Sequence, residues 1–481
     1  MPLPTRSAHP LLPFIPTAYS PWVMRVVHSL LPVLLRIRVR PWLPAGIHRI
    51  EVENVDRLVD LYAQLEAGEA RFLMAVRHVE VDDPLTGLYL CSRAVARAAR
   101  ARGIQLQQPV HTHFVYERGM TLWAGKALGW LLSRIGGVPV RRGRRPDWVG
   151  LKAARKLMLS GNMPMVIAPE GATNGHSERL GPLELGVAQL GFWCAEDLQQ
   201  AGRSEAVFVI PIGIQYFYES ANWSRLAKLL AKLERDSGLG PPQRPAPTPD
   251  KDCYLRILRL AAHLLVVMEA FYARCYHQAP EKAAKGEKGE SEAQILSGKP
   301  LTDETLPAFS ARLSQLLDRA LGVAEQFFGL PSKGTLAERC RRIEEASWQM
   351  IYREDLGDLA SLSLLERGLA DWAAQEASLR EFHMRLVESF VAVDGEYLRE
   401  KPSFERCAEM ALLMSDLVAR FDSGRRPGRP RLGKRWVRMT VQSPISVTAR
   451  LADYQQSRRA GRTAVAELTE DVRVALEKTI R

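Results

Sequence analysis

Cysteine is scarce, with six in 481 residues (Cys91, Cys194, Cys253, Cys275, Cys340 and Cys407) and no two close together. Such spacing offers neither a zinc cluster nor the dense framework of a disulfide-stapled secreted domain, and it suits a reducing compartment. Long apolar runs are also missing. The best candidate, Val26 to Leu35, is too short to span a bilayer, contains His28 and Pro32, and ends at Arg36. The proline-rich, weakly charged region before it and the lack of a small-residue cleavage site after it make a poor secretory signal. No internal repeat is visible. Acidic residues are outnumbered, 54 against 66 Lys and Arg, for a net charge of +12. That balance favours an anionic partner such as membrane lipid, nucleic acid or a phosphorylated substrate, without choosing among them. The expectation is a cytoplasmic chain, free or peripherally associated with a membrane.

What is present falls into four stretches. Residues 1–49 hold a proline-rich arm and then an amphipathic segment from Trp22 to Arg40, in which Arg25, Ser29, Pro32 and Arg36 line up as a narrow polar stripe beside a wide apolar face. Tryptophans at both ends, Trp22 and Trp42, suit a bilayer interface, and a core-packing helix fits the same pattern equally well. Residues 50–218 alternate: strands are predicted at 72–76, 109–115, 138–140, 165–168 and 207–215, with helices near 84–102, 119–135, 147–160 and 184–202. This is the signature of an α/β sheet covered by helices. Residues 219–434 read as an all-helical block, with helices near 223–235, 251–276, 303–328, 335–352, 358–396 and 402–421. A proline-rich joint (241–249) and a polar stretch (281–299) read as connections within it. Residues 435–481 return to a strand at 436–441 and close in a helix at 466–480.

One stretch carries chemistry. Arg77-His78-Val79-Glu80-Val81-Asp82-Asp83-Pro84 follows the apolar run Phe72 to Val76, so a buried strand delivers His78 to its end. Asp83 before Pro84 reads as a helix N-cap followed by a first-turn proline. Across such a loop Asp83 can hold one imidazole nitrogen, fixing the tautomer so that the other takes a proton from an attacking hydroxyl.

Four ordered segments together resemble the glycerolipid acyltransferase family, typified by the 1-acyl-glycerol-3-phosphate acyltransferases. His78-x4-Asp83 is similar to the family's catalytic histidine and aspartate. Gly136-Gly-Val-Pro-Val-Arg141-Arg142 is similar to its glycine, strand and arginine segment, and Ala168-Pro-Glu170-Gly171-Ala172-Thr173 to its proline-glutamate-glycine segment. Val209-Ile-Pro211-Ile-Gly213 resembles its strand with an internal proline. The match covers about residues 50–218, and Val441 to Val447 with the closing helix resembles the family's last elements. The resemblance implies a mixed sheet covered by helices, interrupted by an all-helical insertion at 219–434. It implies His78 as general base oriented by Asp83, with Arg142, Glu170 and Gly171 binding the acceptor. The reaction it implies is direct transfer of a fatty acyl group from acyl-CoA or acyl carrier protein to a hydroxyl of a lysoglycerolipid-type acceptor, with no further cofactor and no metal. Two segments depart from the pattern: Arg77 stands where the family usually has asparagine, and Ala172-Thr173 where it has threonine and arginine. The second removes one phosphate-binding cation, for which Arg141, Arg144, Arg145 or Arg179 could substitute. A catalytically silent acyl-donor or lipid-binding protein of the same fold is the alternative.

Other signals compete. His111 and His113 would share one strand face as a metal pair could, but no third ligand at supporting spacing accompanies them. His176 could touch ligand or be a solvated loop residue. The run Arg425 to Arg435 contains Gly-Arg-Pro as a minor-groove hook does, and suits a loop drawn to anionic lipid as well.

Overall fold

The computed structural model describes residues 7–37, 46–121, 125–141, 147–242, 244–278, 306–353, 355–357, 359, 361–390, 396–421 and 429–481, with the backbone alone at Lys126 and Leu306. The chain divides into two compact units, Leu12–Phe217 with Lys434–Arg481, and Pro2–Leu11 with Tyr218–Gly433.

The first unit is α/β. Its strands are β1 (Ile47–Glu53), β2 (Ala70–Val76), β3 (His113–Glu117), β4 (Gly137–Val140), β5 (Met165–Ile167), β6 (Ala206–Tyr218), β7 (Arg435–Val441) and β8 (Ile445–Ser446). They form one sheet in the order β1-β7-β6-β2-β5-β3-β4, with β8 beside β6. The pairs β1–β7, β2–β5, β2–β6, β3–β4 and β3–β5 are parallel and β6–β8 is antiparallel, so the sheet is mixed. Alternation along the central strands splits the core. Phe72 and Met74 of β2 join Ile210 and Ile212 of β6 in one cluster, and Leu73 and Ala75 join Val207 and Val209 in another. A strand segment buried on both faces is apolar throughout, which is why Phe72–Val76 of β2 and Ala206–Ile214 of β6 read as unbroken apolar runs.

The helices of this unit include α1 (Pro21–Arg36), α2 (Asp56–Glu66), α3 (Asp83–Tyr89), α4 (Ala96–Ala101), α5 (Lys126–Arg134), α6 (Trp148–Ser160) and α7 (Gly186–Gln200). A π-helical stretch, Leu90–Val95, joins α3 to α4. The last helix spans Arg458–Glu477, starting earlier than its sequence pattern suggests because Ser457 caps it, accepting from Ala460 N–H at 3.1 Å. Elements absent from the sequence reading include β1, α2 and the short helix Leu451–Gln455. β1, Ile-His-Arg-Ile-Glu-Val-Glu, sits at the sheet edge, where one buried residue, Ile47, suffices and periodicity is faint.

The 1–49 stretch is divided between the two units, Pro2–Leu11 belonging to the second and the residues from Leu12 to the first. His9 is paired with the second unit's chain: its N–H donates to Ile351 O at 2.8 Å and its carbonyl accepts from Arg353 N–H at 2.9 Å. Within α1, Met24, His28, Leu31 and Leu35 are buried while Trp22, Val26, Leu30 and Val33, with Ile37 just past its end, are exposed. The helix therefore packs along one stripe and presents a second apolar stripe outward. Residues 38–45, including Trp42, lie outside the described residues. Among the described residues no helix is long and apolar enough to cross a membrane.

His28 packs edge-on to His111 with ring centroids 5.7 Å apart, and His111 stacks on Tyr19 at 5.9 Å. Only His113 belongs to β3, so His111 and His113 are not a strand-face pair. Their rings contact backbone carbonyls instead, His111 Nε2 to Ile135 O at 2.7 Å and His113 Nδ1 to Gly136 O at 3.0 Å. Burial pushes His28 and His111 down to about 4 and lowers His113 as well. The unfolded chain takes up these protons below its ordinary value of about 6.5, whereas the folded chain resists until about 4. The cluster's contribution is thus complete above about pH 6.5 and is lost as pH falls toward 4. His111, 2% exposed, carries on the order of 3 kcal/mol of this dependence. Urea unfolding at pH 7.5 and pH 5 is expected to show the loss, and His111→Leu to flatten it; an unchanged slope in that variant would count against the cluster.

The second unit is helical. Its helices are Trp223–Asp236, Pro249–Tyr276, Leu306–Phe328, Leu336–Ile351, Leu364–Glu388, Glu396–Glu400 and Phe404–Phe421. The single helix expected over 358–396 begins instead at Leu364, where Ser363 and Glu366 form a capping box, and ends at Glu388. One core runs through the bundle, from Leu230 and Ile257 to Leu321, Ile343, Val387 and Ala408.

Candidate functional site

β2 lies between β5 and β6, in register Leu73↔Met165 and Val76↔Ile212, so parallel strands bring the residues after Val76 and after Ile167 to the same sheet edge. Ligands of open α/β sheets bind beyond such carboxyl ends. Arg77 N–H still donates to Ile212 O at 3.0 Å, continuing the ladder one residue past β2. His78 is then the first residue free of the sheet, its side chain 28% exposed.

Asp83 is not the N-cap that its sequence context suggested. Asp82 holds that position and Asp83 begins α3, with Pro84 in the first turn. The carboxylate of Asp83 is consequently turned back over the loop rather than onto the helix end. Its Oδ2 accepts from His78 Nδ1 at 2.9 Å and from Glu80 N–H at 3.0 Å, and its Oδ1 from the Tyr216 hydroxyl at 2.6 Å. An ionised Asp83 makes His78 the Nδ1–H tautomer and leaves Nε2 as the basic atom. That Nε2 makes no hydrogen bond to the described residues. Burial, and then the Asp83 carboxylate itself, holds the Tyr216 hydroxyl well above its ordinary value, so it remains a donor at neutral pH.

Glu170 stands beneath the same histidine. Its Oε1 accepts from the backbone N–H of His78 at 3.1 Å, and its Oε2 from Gly181 N–H at 2.8 Å and Asn174 Nδ2 at 2.5 Å. Burial raises its pKa, while Arg77 and the two backbone N–H donors pull the other way. Arg77 is wholly buried and lies 3.8 Å from Glu170 Oε1. Its guanidinium donates to the carbonyls of Ser177 (2.7 Å), His176 (3.1 Å) and Arg179 (2.6 Å). Backbone bonds from Asn174 N to His78 O and from Gly175 N to Val79 O complete the clasp between the two loops. Gly171 has φ +72°, and a Cβ there would sit 2.2 Å from Glu184 Oε1. The close approach this glycine permits is therefore to Glu184, within the protein.

The sheet edge gains one further residue from far along the chain. Arg435, first residue of β7, donates to Asp82 Oδ2 at 2.7 Å, lies 3.5 Å from Glu80 Oε1, and places its guanidinium 4.9 Å from the Tyr216 ring centroid. It is 8% exposed, so it is not part of a basic tail open to lipid or DNA; residues 425–428 of that run lie outside the described ones.

The structure thus brings His78, Asp83 and Glu170 together, with Gly171 bordering Glu170. Gly137 to Val140 form β4 at the far end of the sheet order. Arg142 lies outside the described residues, as do Arg144 and Arg145. His176 is 1% exposed rather than a solvated loop residue. Tyr216, Arg435 and Arg77 were not legible as site residues. Only Tyr216 left a trace, as a tyrosine sharing the buried face of Ile212 and Ile214, whose hydroxyl had to find a partner. Among the described residues, no group of three or more His, Cys, Asp or Glu could hold a metal ion. Comparisons of the chain with protein-family models, with curated proteins and with solved structures find no match.

Proposed function

We propose that this chain is an O-acyltransferase of the glycerolipid type, transferring a fatty acyl group from an acyl thioester to a hydroxyl. The observation that carries the reading is the 2.9 Å contact from His78 Nδ1 to a carboxylate, Asp83, that two further donors hold in place. In this mechanism His78 Nε2 removes the proton of the acceptor hydroxyl as its oxygen attacks the thioester carbonyl. The new C–O bond forms, the C–S bond breaks, and the imidazolium returns the proton to the departing thiolate. Asp83 stabilises that imidazolium. Glu170, its oxygens already taken by protein donors, acts by fixing the main chain of His78. Arg142 remains the proposed anion contact for the acceptor, and the donor is acyl-CoA or acyl carrier protein.

The same reading takes the sheet as an acyltransferase core and residues 219–434 as an insertion into it. It is supported by the adjacency of β6, ending at Tyr218, and β7, beginning at Arg435. The outward stripe of Trp22, Leu30 and Val33 on α1 supports peripheral attachment to a lipid surface. Flotation with anionic vesicles is expected to fall in Leu30→Glu; unchanged flotation would refute that attachment.

The deciding experiment supplies purified protein with labelled acyl-CoA and acyl carrier protein and a panel of lysolipid acceptors. Transfer to at least one acceptor is expected, whereas binding of donor with no transfer to any would favour a silent binding protein. Tyr216→Phe removes one donor from Asp83 and keeps the ring beneath Arg435. Its loss is expected to lower kcat by up to about 10–100-fold, a hydrogen bond to a charged group being worth about 1.5–3 kcal/mol, with KM unchanged. The less neutralised carboxylate should also move the acid limb of the pH–rate profile upward. A profile identical to wild type would make Tyr216 merely structural.

A further inference from the structure

We propose that the helical unit holds a single aliphatic chain inside its bundle, at a site separate from the chemistry of His78. A cavity of about 100 Å3 lies among helices Pro249–Tyr276, Leu306–Phe328 and Phe404–Phe421, with Val387 and Leu398 also in its wall. The wall is almost entirely hydrocarbon. Its one hydroxyl, on Tyr272, is engaged with His383 Nδ1 at 2.7 Å.

Those two facts set the ligand's class. A polar group taken into this space would lose its water and meet no free partner, so sugars, nucleotides and peptides are disfavoured. A void walled in this way stays dry and forfeits dispersion contacts that an apolar guest restores. An engineered apolar cavity of ~150 Å3 takes up benzene, so about 100 Å3 here corresponds to about four carbons of a chain. Leu265, Val387 and Met414 of the lining are buried, whereas Leu264, Met268, Leu313 and Met410 are half-buried, so a chain longer than the cavity would leave it past these four. The remaining carbons would lie along that side, with the polar end in water. The methionines at 268, 410 and 414 are unbranched and can adjust to chains of different length and unsaturation. A planar aromatic guest would not use that adaptability.

The test uses the full-length chain, delipidated, with dodecanoate titrated calorimetrically. Saturation at one equivalent per chain is expected, and the same binding in His78→Ala, since nothing in the argument involves the sheet edge. Ala320→Leu and, separately, Ala261→Leu fill the cavity and should weaken binding at least tenfold while keeping wild-type helical circular dichroism. If both variants misfold, a diazirine-tagged dodecanoate on the wild-type chain decides, with labelling expected in 257–268, 313–320 or 410–414. Absence of saturable binding, undiminished binding in either folded variant, or labelling confined elsewhere would overturn the proposal. Transfer activity with no dodecanoate site, or a dodecanoate site with no transfer, separates this inference from the acyltransferase reading.

Discussion

His78→Ala is expected to lower acyl transfer by about 10³-fold or more at saturating donor and acceptor, the upper part of the roughly 10²–10⁴ that positioned base catalysis supplies. The effect should fall on kcat, because the lost interaction is made as the proton leaves the hydroxyl and not when the substrates bind. Stability should hardly change. The His78 side chain is 28% exposed, and the contacts that fix its loop run through backbone atoms: its N–H to Glu170, its carbonyl from Asn174. Alanine keeps both. Kinetics with the most active acceptor found, alongside thermal unfolding of the same preparations, measure the two effects together. A well-folded variant retaining a tenth of wild-type turnover would remove His78 from the role of base and leave a binding protein as the better reading.

Arg77→Met is expected to produce the largest loss of stability. Arg77 is the bulkiest fully buried side chain of the described residues, and it holds the carbonyls of His176, Ser177 and Arg179 while facing Glu170. Removing one member of a buried ionic cluster costs about 3–5 kcal/mol, because the partner carboxylate remains buried without its counter-charge. Lysine should recover little, since an ammonium cannot reproduce the guanidinium fork that reaches several carbonyls at once. Urea unfolding of Arg77→Met, Glu170→Gln and the double variant measures the coupling. The double variant should lose less than the sum of the singles, as residues in contact do; strict additivity would mean that Arg77 and Glu170 act independently. Activity should fall with the Arg77 change as well, since Glu170 anchors the His78 N–H.

The arginine at position 77, where the family that the sequence resembles usually has asparagine, acquires a physical reason in this structure. In the sequence it is one residue before a histidine, with nothing to mark it as buried. In the fold it closes the 176–179 turn onto the end of β2, a task that asparagine, with two donors on one nitrogen, could not perform across three carbonyls. Arg435 makes the same point from the other direction. Its neighbours Arg429, Arg431 and Lys434 share its charge, and composition alone gave no reason to separate it from them. β7 begins at that residue and carries it to Glu80 and Asp82.

The sequence by itself determined the alternation of apolar strands and amphipathic helices before residue 218, the helical block after it, and the pairing of His78 with Asp83. These are properties of local pattern: a strand buried on both faces must be apolar, and a loop of four residues is short enough for the side chains at its two ends to reach each other. Only the tertiary structure decided what holds that pair. Tyr216, Arg435 and Glu170 stand 133, 353 and 92 residues from their partners Asp83, Asp82 and His78; the parallel pairing of β2 with β5 and β6, and the start of β7 lying beside the end of β6, which no local period encodes, bring them to one edge. Burial likewise separated the inward stripe of α1 from the outward one, because a helix apolar on two sides does not reveal in its sequence which side finds the core.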